Sequence, residues 1–188
     1  MLKEINFIYN QDLIQIDNIN PNTTVLNYLR DIKNDRGTKE GCASGDCGAC
    51  TAVIVELVNG KLLYKSINTC IMLLYNLHGK QLITVEHLKD NNKLHPVQKS
   101  MVEFGGSQCG FCTPGFIMSM FSMYKNKVKT TKKNIDEHLA GNLCRCTGYK
   151  PIYIATKNMY SYGKFDHFSK NEKKIINKLK SIKDKDVV

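Results

Sequence analysis

No stretch of the 188-residue chain approaches the roughly 18 consecutive apolar residues of a membrane-spanning helix. The longest apolar patches, at residues 52–55 and 71–75, are the size of a strand or a short helix. Residues 1–10 lack the basic flank, apolar core and cleavage site of a secretory signal, so a cytoplasmic location is expected. Arginine is scarce: Arg30, Arg36 and Arg145 are the only ones. No arginine–aromatic stripe accompanies the basic charge, which argues against a nucleic-acid-binding face. His78, His87, His95, His138 and His167 show no ligand spacing and are expected at surface or capping positions. The eight cysteines, about 4% of the chain, fall short of the roughly 8–10% of a secreted disulfide scaffold. In a reducing compartment, clustered cysteines bind metal more often than they form disulfides.

What is present is an ordinary globular composition, 42% hydrophobic and 23% charged, long enough for one domain or two small ones. The formal charge is +10, nearly all of it lysine. Residues 164–188 hold eight Lys against four Asp and Glu, so the tail alone supplies +4.

The chain changes texture near residue 90, and the pattern is α+β. Ile5, Phe7 and Tyr9 alternate as on a strand, and residues 13–16 form a second after the turn Asn10-Gln11-Asp12. Thr23 or Thr24 can cap a helix carrying Val25, Leu26 and Leu29. Residues 51–58 read as a buried strand, Asn59-Gly60 as a hairpin turn, residues 61–67 as the return strand and 81–85 as a last short one. Helices are expected at 95–104, 113–124, 131–140 and 151–162, three of them with proline in the opening turn. Met118, Met120 and Met123, with Phe116 and Phe121, read as helix core or an apolar interface. The expected division is residues 1–88, 89–163 and a basic tail or linker at 164–188. In the tail Ser169-x-x-Glu172 fits a capping box and Ile175, Leu179 and Ile182 share a helical face. A solvated, lysine-rich helix or linker is the expectation there; a docking segment is the alternative.

Cysteine placement carries the chemistry. Cys42, Cys47 and Cys50 lie within nine residues on a loop rich in glycine, with Cys70 downstream, the plant-ferredoxin spacing for a [2Fe–2S] cluster. Such a cluster is anionic, and its sulfurs accept hydrogen bonds from backbone N–H groups turned inward. Gly41, Gly45 and Gly48 are expected to permit that backbone by adopting positive φ. A structural zinc site or a set of buried free thiols are the alternatives.

Cys109-x2-Cys112 and Cys144-x-Cys146 form a second quartet. Residues i and i+2 do not share a helix face, so Cys144 and Cys146 require a non-helical turn after a stop at Ala140-Gly141-Asn142. Cys112 precedes the Thr113-Pro114 helix start, where a helix N-terminus suits an anionic group. By itself this quartet suits zinc as well as iron–sulfur; beside the first it points to iron–sulfur. Two oxidised clusters on eight thiolates would lower the net charge to about +6.

At GCASGDCGAC (41–50), QCGFCTPG (108–115) and GNLCRCTGY (141–149) the chain resembles the two-cluster iron–sulfur part of the molybdenum hydroxylases. That family includes xanthine dehydrogenases, aldehyde oxidoreductases and aerobic carbon monoxide dehydrogenases. The resemblance covers about residues 2–162. Residues 37–40, 94–98, 106–108 and 116–120 resemble the xanthine dehydrogenase branch most. It implies a plant-ferredoxin-like β-grasp domain followed by a four-helix domain. It implies that Cys42, Cys47, Cys50 and Cys70 hold the cluster nearer flavin, and Cys109, Cys112, Cys144 and Cys146 the one nearer a molybdenum–pterin cofactor. Gln108 and Cys146 would lie against the pterin. Molybdopterin and FAD are expected on a large subunit and on an FAD-binding subunit or domain, with no nucleic acid, no membrane span and no substrate-transforming residue here. Small subunits of this type often continue into an FAD domain; this sequence ends at Val188, where that linker would run, so flavin is expected on a separate subunit or the chain is a fragment. An electron-transfer component leads a free-standing ferredoxin and a zinc-stabilised binding module.

Overall fold

A computed structural model describes residues 4–163 and 166–185. Five strands form one sheet: β1 (Glu4–Tyr9), β2 (Asp12–Asp17), β3 (Thr51–Val58), β4 (Lys61–Asn68) and β5 (Gln81–Ile83), in the order β2-β1-β5-β3-β4. The pair β1–β5 is parallel and the others antiparallel. Asn10 and the Asn59-Gly60 pair take positive φ at the two hairpin turns, as tight turns between twisted strands require. Thr24 caps the three-residue helix α1 (Val25–Asn27) by accepting the Asn27 N–H, and the chain continues as a π-helical turn, Tyr28–Ile32. Short 3-10 turns occupy Leu74–Leu77 and Val85–Leu88.

The sheet is covered on both faces. Ile5, Phe7, Ala52, Ile54 and Leu82 point to one side and bury Val25, Leu29, Leu74 and Leu77. Val53, Val55, Tyr64 and Ile83 point to the other and meet Phe116, Met120 and Phe121. Double coverage explains the unbroken apolar run of β3, since a strand with one wet face would alternate.

The second half supplies α2 (Pro96–Glu103), α3 (Thr113–Lys125), α4 (Lys132–Leu139) and α5 (Lys150–Asn158), each end within four residues of expectation. The longest overshoot, at residue 162, is a 3-10 turn over Met159–Tyr162. Ten consecutive residues of α3, Gly115 to Tyr124, are buried, so the methionines and phenylalanines are core. Helix α3 is fastened to the outer strand by polar bonds as well. The Ser122 hydroxyl and the Asn126 Nδ2 donate to the Tyr64 carbonyl at 3.0 and 2.6 Å, and Asn126 Oδ1 accepts the Tyr64 N–H at 3.2 Å.

The tail departs from expectation. It forms α6 (His167–Lys170) and α7 (Glu172–Lys185), and α7 is not a solvated helix. Ile175, Leu179 and Ile182 are buried on Ile8 of the sheet beside Leu57 and Leu62. Burying three large aliphatic side chains, at roughly 1.5–3 kcal/mol each, outweighs the cost of ordering a lysine-rich segment. The Ser169–Glu172 capping box does not form. Ser169 lies inside α6, whose cap is Asp166, accepting the Ser169 N–H at 2.7 Å.

Asp166 also anchors the tail to the helical layer. Its carboxylate accepts from His95 Nε2 and Lys125 Nζ, each at 2.9 Å, with the three side chains 2%, 1% and 7% exposed in that order. His95 Nδ1 accepts the Val97 N–H and caps α2, so Nε2 carries the ring proton. Burial holds His95 below the ordinary histidine range. Burial works against ionised Asp166, yet the bonds from His95 and Lys125 prevail and hold its carboxyl well below the usual range. A surface position therefore fails for His95, although the capping role holds. His87 is likewise largely buried, its ring edge-on to Tyr9 at 4.5 Å.

Candidate metal centres

The first quartet sits on the loop before β3 and on the turn after β4. Three backbone N–H groups, of Ser44, Asp46 and Cys47, converge on Cys42 Sγ at 3.3–3.4 Å, and the Cys42 N–H reaches Cys47 Sγ at 3.4 Å. A bond from the Ser44 side chain, followed by the Ser44 and Cys47 N–H groups, lowers the exposed Cys42 thiol to about 6. Inward-turned N–H groups are the device expected of an anionic cluster loop. The glycines divide their tasks differently from expectation. Gly45 and Gly48 have φ of +86° and +70°, but Gly41 does not take positive φ. A Cβ on Gly41 would stand 2.7 Å from Cys47 Sγ, so glycine there makes room for a ligand sulfur. Ala43, at φ 56°, bears the remaining left-handed turn. Asn68 Nδ2 fastens the loop from β4 through the Gly45 carbonyl at 2.6 Å.

The second quartet lies between helices. Cys112 is the residue capping α3, and Cys144 and Cys146 occupy the bends between α4 and α5. Thr147 Oγ1 lies 3.1 Å from Cys144 Sγ, and the Tyr149 hydroxyl accepts the Cys144 N–H at 3.0 Å. Burial opposes ionisation of Cys144, but bonds from Thr147 and Cys146 bring it down to about 7. Tyr149 sits at φ +66° beside Gly148 at +65°, a left-handed pair in which the tyrosine bears a strain of about 1–2 kcal/mol.

The sulfurs meet two by two. Cys42 pairs with Cys47, Cys50 with Cys70 at 3.3 Å, Cys109 with Cys146 and Cys112 with Cys144. Among the described residues no group of three or more His, Cys, Asp or Glu side chains is placed to hold a metal ion. Two pairs per quartet suit a [2Fe–2S] cluster, in which each iron binds two thiolates. The proton preference is uneven within the pairs. Burial pushes Cys70 and Cys112 up to about 12, while a backbone bond at Phe111 lowers Cys109 and its contact with Cys109 raises Cys146. The Cys109–Cys146 pair is exposed and Gln108 is exposed beside it; Cys112 and Cys144 lie deeper. Phe111, Leu143 and Tyr149, 48%, 54% and 44% exposed, belong to the same loops.

The two loops touch. The Leu143 N–H donates to the Cys47 carbonyl at 2.9 Å, joining a residue next to Cys144 to a cysteine of the first quartet. A Cβ on Gly115 would lie 2.2 Å from the Gly48 carbonyl, so α3 is also packed directly on the first loop. Gly115, Thr147 and Tyr149 stand in the cysteine motifs without an assigned role, Asn142 is read there only as part of a helix stop and Ser119 only within the 116–120 resemblance, while Thr51 and Asn68 carry no motif signal.

Comparison with known proteins yields the same two-part picture. Residues 7–74 match the 2Fe-2S iron-sulfur cluster binding domain and residues 84–157 the [2Fe-2S] binding domain. The chain is 45% identical over 152 residues to a xanthine dehydrogenase of Blastobotrys adeninivorans, covering 79% of this chain and 11% of that one. It thus spans about a tenth of the length of that relative. Among solved structures, quinoline 2-oxidoreductase from Pseudomonas putida 86 aligns with a TM-score of 0.70 at 28% identity, covering 89% of this chain and 96% of that one. The aldehyde oxidoreductase of Desulfovibrio desulfuricans ATCC 27774 aligns at 0.73 and 29%, covering 85% and 17%.

Proposed function

We propose, from the premise that this chain belongs to the iron–sulfur part of the molybdenum hydroxylases, that it holds two [2Fe–2S] clusters and carries electrons between cofactors borne by other parts of the enzyme. Cys42, Cys47, Cys50 and Cys70 would hold one cluster, and Cys109, Cys112, Cys144 and Cys146 the other. Each cluster, when bound, supplies a one-electron redox centre. The chain's own work is placement and electrostatics. The Ser44, Asp46 and Cys47 N–H groups stabilise negative charge at the first site, and Gly41 leaves space for its sulfur. The start of α3 turns its partial positive charge toward the second site.

The observation that carries the proposal is the hydrogen bond from Leu143 to Cys47, which brings the two cysteine quartets within one main-chain contact of each other. Two isolated structural sites would have no need of that contact. The exposed pair Cys109–Cys146, with Gln108 and the apolar Phe111, Leu143 and Tyr149, would face the molybdenum–pterin cofactor of a larger partner. FAD would receive electrons from the side of the first quartet. The 45% identity to a xanthine dehydrogenase, against 39% to a probable aldehyde oxidase of Caenorhabditis elegans and 28–29% to the quinoline and aldehyde enzymes of known structure, favours a xanthine-type substrate for that partner. The domain division at residues 88 and 163 and a cytoplasmic location complete the proposal.

The test is iron, acid-labile sulfide and zinc per chain after purification without air. About four iron and four sulfide are expected, with two distinguishable paramagnetic species on full reduction. Cys70→Ser and Cys144→Ser should each remove one species and leave the other. Zinc without sulfide, persisting after anaerobic reconstitution, would overturn the proposal.

A further inference from the structure

One buried carboxamide ties the two cysteine loops together. Asn142 is 4% exposed and stands two residues before Cys144. Its Nδ2 donates to the Gly48 carbonyl and to Thr51 Oγ1, both at 3.0 Å, and its Oδ1 accepts the Ser119 hydroxyl at 2.6 Å. The Gly48 carbonyl can only accept, so it fixes which end of the amide is nitrogen. Thr51 adds to the joint, its N–H and hydroxyl reaching the same carbonyl at 3.1 and 2.7 Å. One side chain thereby bonds the first cysteine loop, the start of β3 and the middle of α3. The fit is tight: a Cβ on Gly48 would lie 2.2 Å from the Gly141 carbonyl and 2.6 Å from Asn142 Nδ2.

We propose that Asn142 is a positioning residue that sets the separation of the two redox centres and hence their coupling. The inference rests on both quartets holding [2Fe–2S] clusters. Gly48 lies between Cys47 and Cys50, and Asn142 lies between the end of α4 and Cys144. The amide therefore acts on backbone that carries ligands on both sides. The Leu143–Cys47 bond cannot hold the register alone, because it is one bond at the partly open edge of the joint. Serine, leucine or aspartate at 142 would leave at least one buried partner without its bond, and a buried polar group without a partner forces the loops apart or admits water.

The experiment uses the full chain loaded with both clusters, with iron and sulfide counted in every variant. The readout is the magnetic splitting between the two reduced centres in low-temperature electron paramagnetic resonance, which falls with the inverse cube of their separation. Hydrogen exchange of a peptide covering residues 141–144 is measured alongside. Wild type should show mutual splitting and a protected Leu143 amide. Asn142→Leu, branched at the same carbon though bulkier and unable to hydrogen-bond, should keep four iron but narrow or lose the splitting and expose that amide. Ser119→Ala, which removes only the bond from α3, should give a smaller change in the same direction. A loaded Asn142→Leu chain with wild-type splitting and a lowered melting temperature would make Asn142 merely structural and overturn the proposal. Should that variant fail to load, unchanged splitting in Ser119→Ala would overturn it. Wild type loaded with both clusters but unsplit would do so too. Wild type without iron and sulfide would instead fail the two-cluster reading beneath it.

Discussion

Asp166→Asn should destabilise the chain far more than its single-atom change suggests. The carboxylate accepts from His95 Nε2, from Lys125 Nζ and from both the N–H and hydroxyl of Ser169, at 2.7–2.9 Å, while 2% exposed. An amide cannot reproduce this set. If its oxygen serves Lys125 and Ser169, its NH2 faces the His95 Nε2–H, donor against donor. The imidazole cannot switch tautomer to relieve this, because Nδ1 already accepts the Val97 N–H. The buried Lys125 ammonium loses its counter-charge and keeps only uncharged partners, the amide oxygen and Ser169 Oγ at 2.8 Å. Breaking one partner of a buried pair costs about 3–5 kcal/mol. At about 2–4 °C per kcal/mol for a chain of this size, the melting temperature should fall by on the order of 10 °C. The assay is calorimetry on loaded full-length protein at pH 7 and a single scan rate. Lys125→Met alone should also destabilise, but the double variant should recover at least about 1 kcal/mol relative to the sum, since the stranded charge is then gone. A single-variant loss under about 1 kcal/mol, or strict additivity, would refute the claim that the three groups form one buried network.

The tail should behave as part of the fold. Leu179→Ala removes a fully buried side chain and should cost about 2 kcal/mol or more, whereas Lys180→Ala should stay within about 0.5 kcal/mol; equal effects in thermal melts would return α7 to solvent. Gly48→Ala and Gly60→Ala both place a Cβ at positive φ, but only the first meets backbone, the Gly141 carbonyl at 2.2 Å. Gly60→Ala should cost about 1–2 kcal/mol and load normally, while Gly48→Ala should cost at least twice that and lose bound iron, as denaturant titration and metal analysis would show. Acid should destabilise in one direction. His87 and His95 are held below their ordinary range by burial, so beneath about pH 6.5 the unfolded chain takes up protons the folded one refuses and stability falls. Asp166 is held down as well, so its contribution, whole above about pH 3.9, drains away as pH falls through the folded value. A melting temperature unchanged between pH 7 and 5.5 would contradict the histidine part.

Much of this arrangement could be read from sequence because its causes are local. Alternation places Ile5, Phe7 and Tyr9 on one face of β1, and Asn59-Gly60 turns the chain wherever it occurs. Cysteine spacing within 42–50 dictates a loop that must wrap its ligands, and three N–H groups do converge on Cys42. The tail defeats local reasoning for a physical reason. Three apolar residues on a lysine-rich helix dock or remain wet according to whether another surface lacks a cover. That vacancy was hinted at only by Ile8, the one apolar residue of β1 pointing away from its apolar neighbours. His95 and Asp166 are 71 residues apart, and no spacing rule links them. The same limit governs the metal centres. Spacing identifies eight candidate ligands in two groups, but the pairing of Cys109 with Cys146 and of Cys112 with Cys144 is a property of how α3 meets the bend after α4. Contact between the groups is more distant still: Asn142 and Gly48 are 94 residues apart. What a redox protein must control, the separation of its centres, therefore resides in bonds that no local pattern announces. A variant there can leave every cysteine in place and still change how electrons pass.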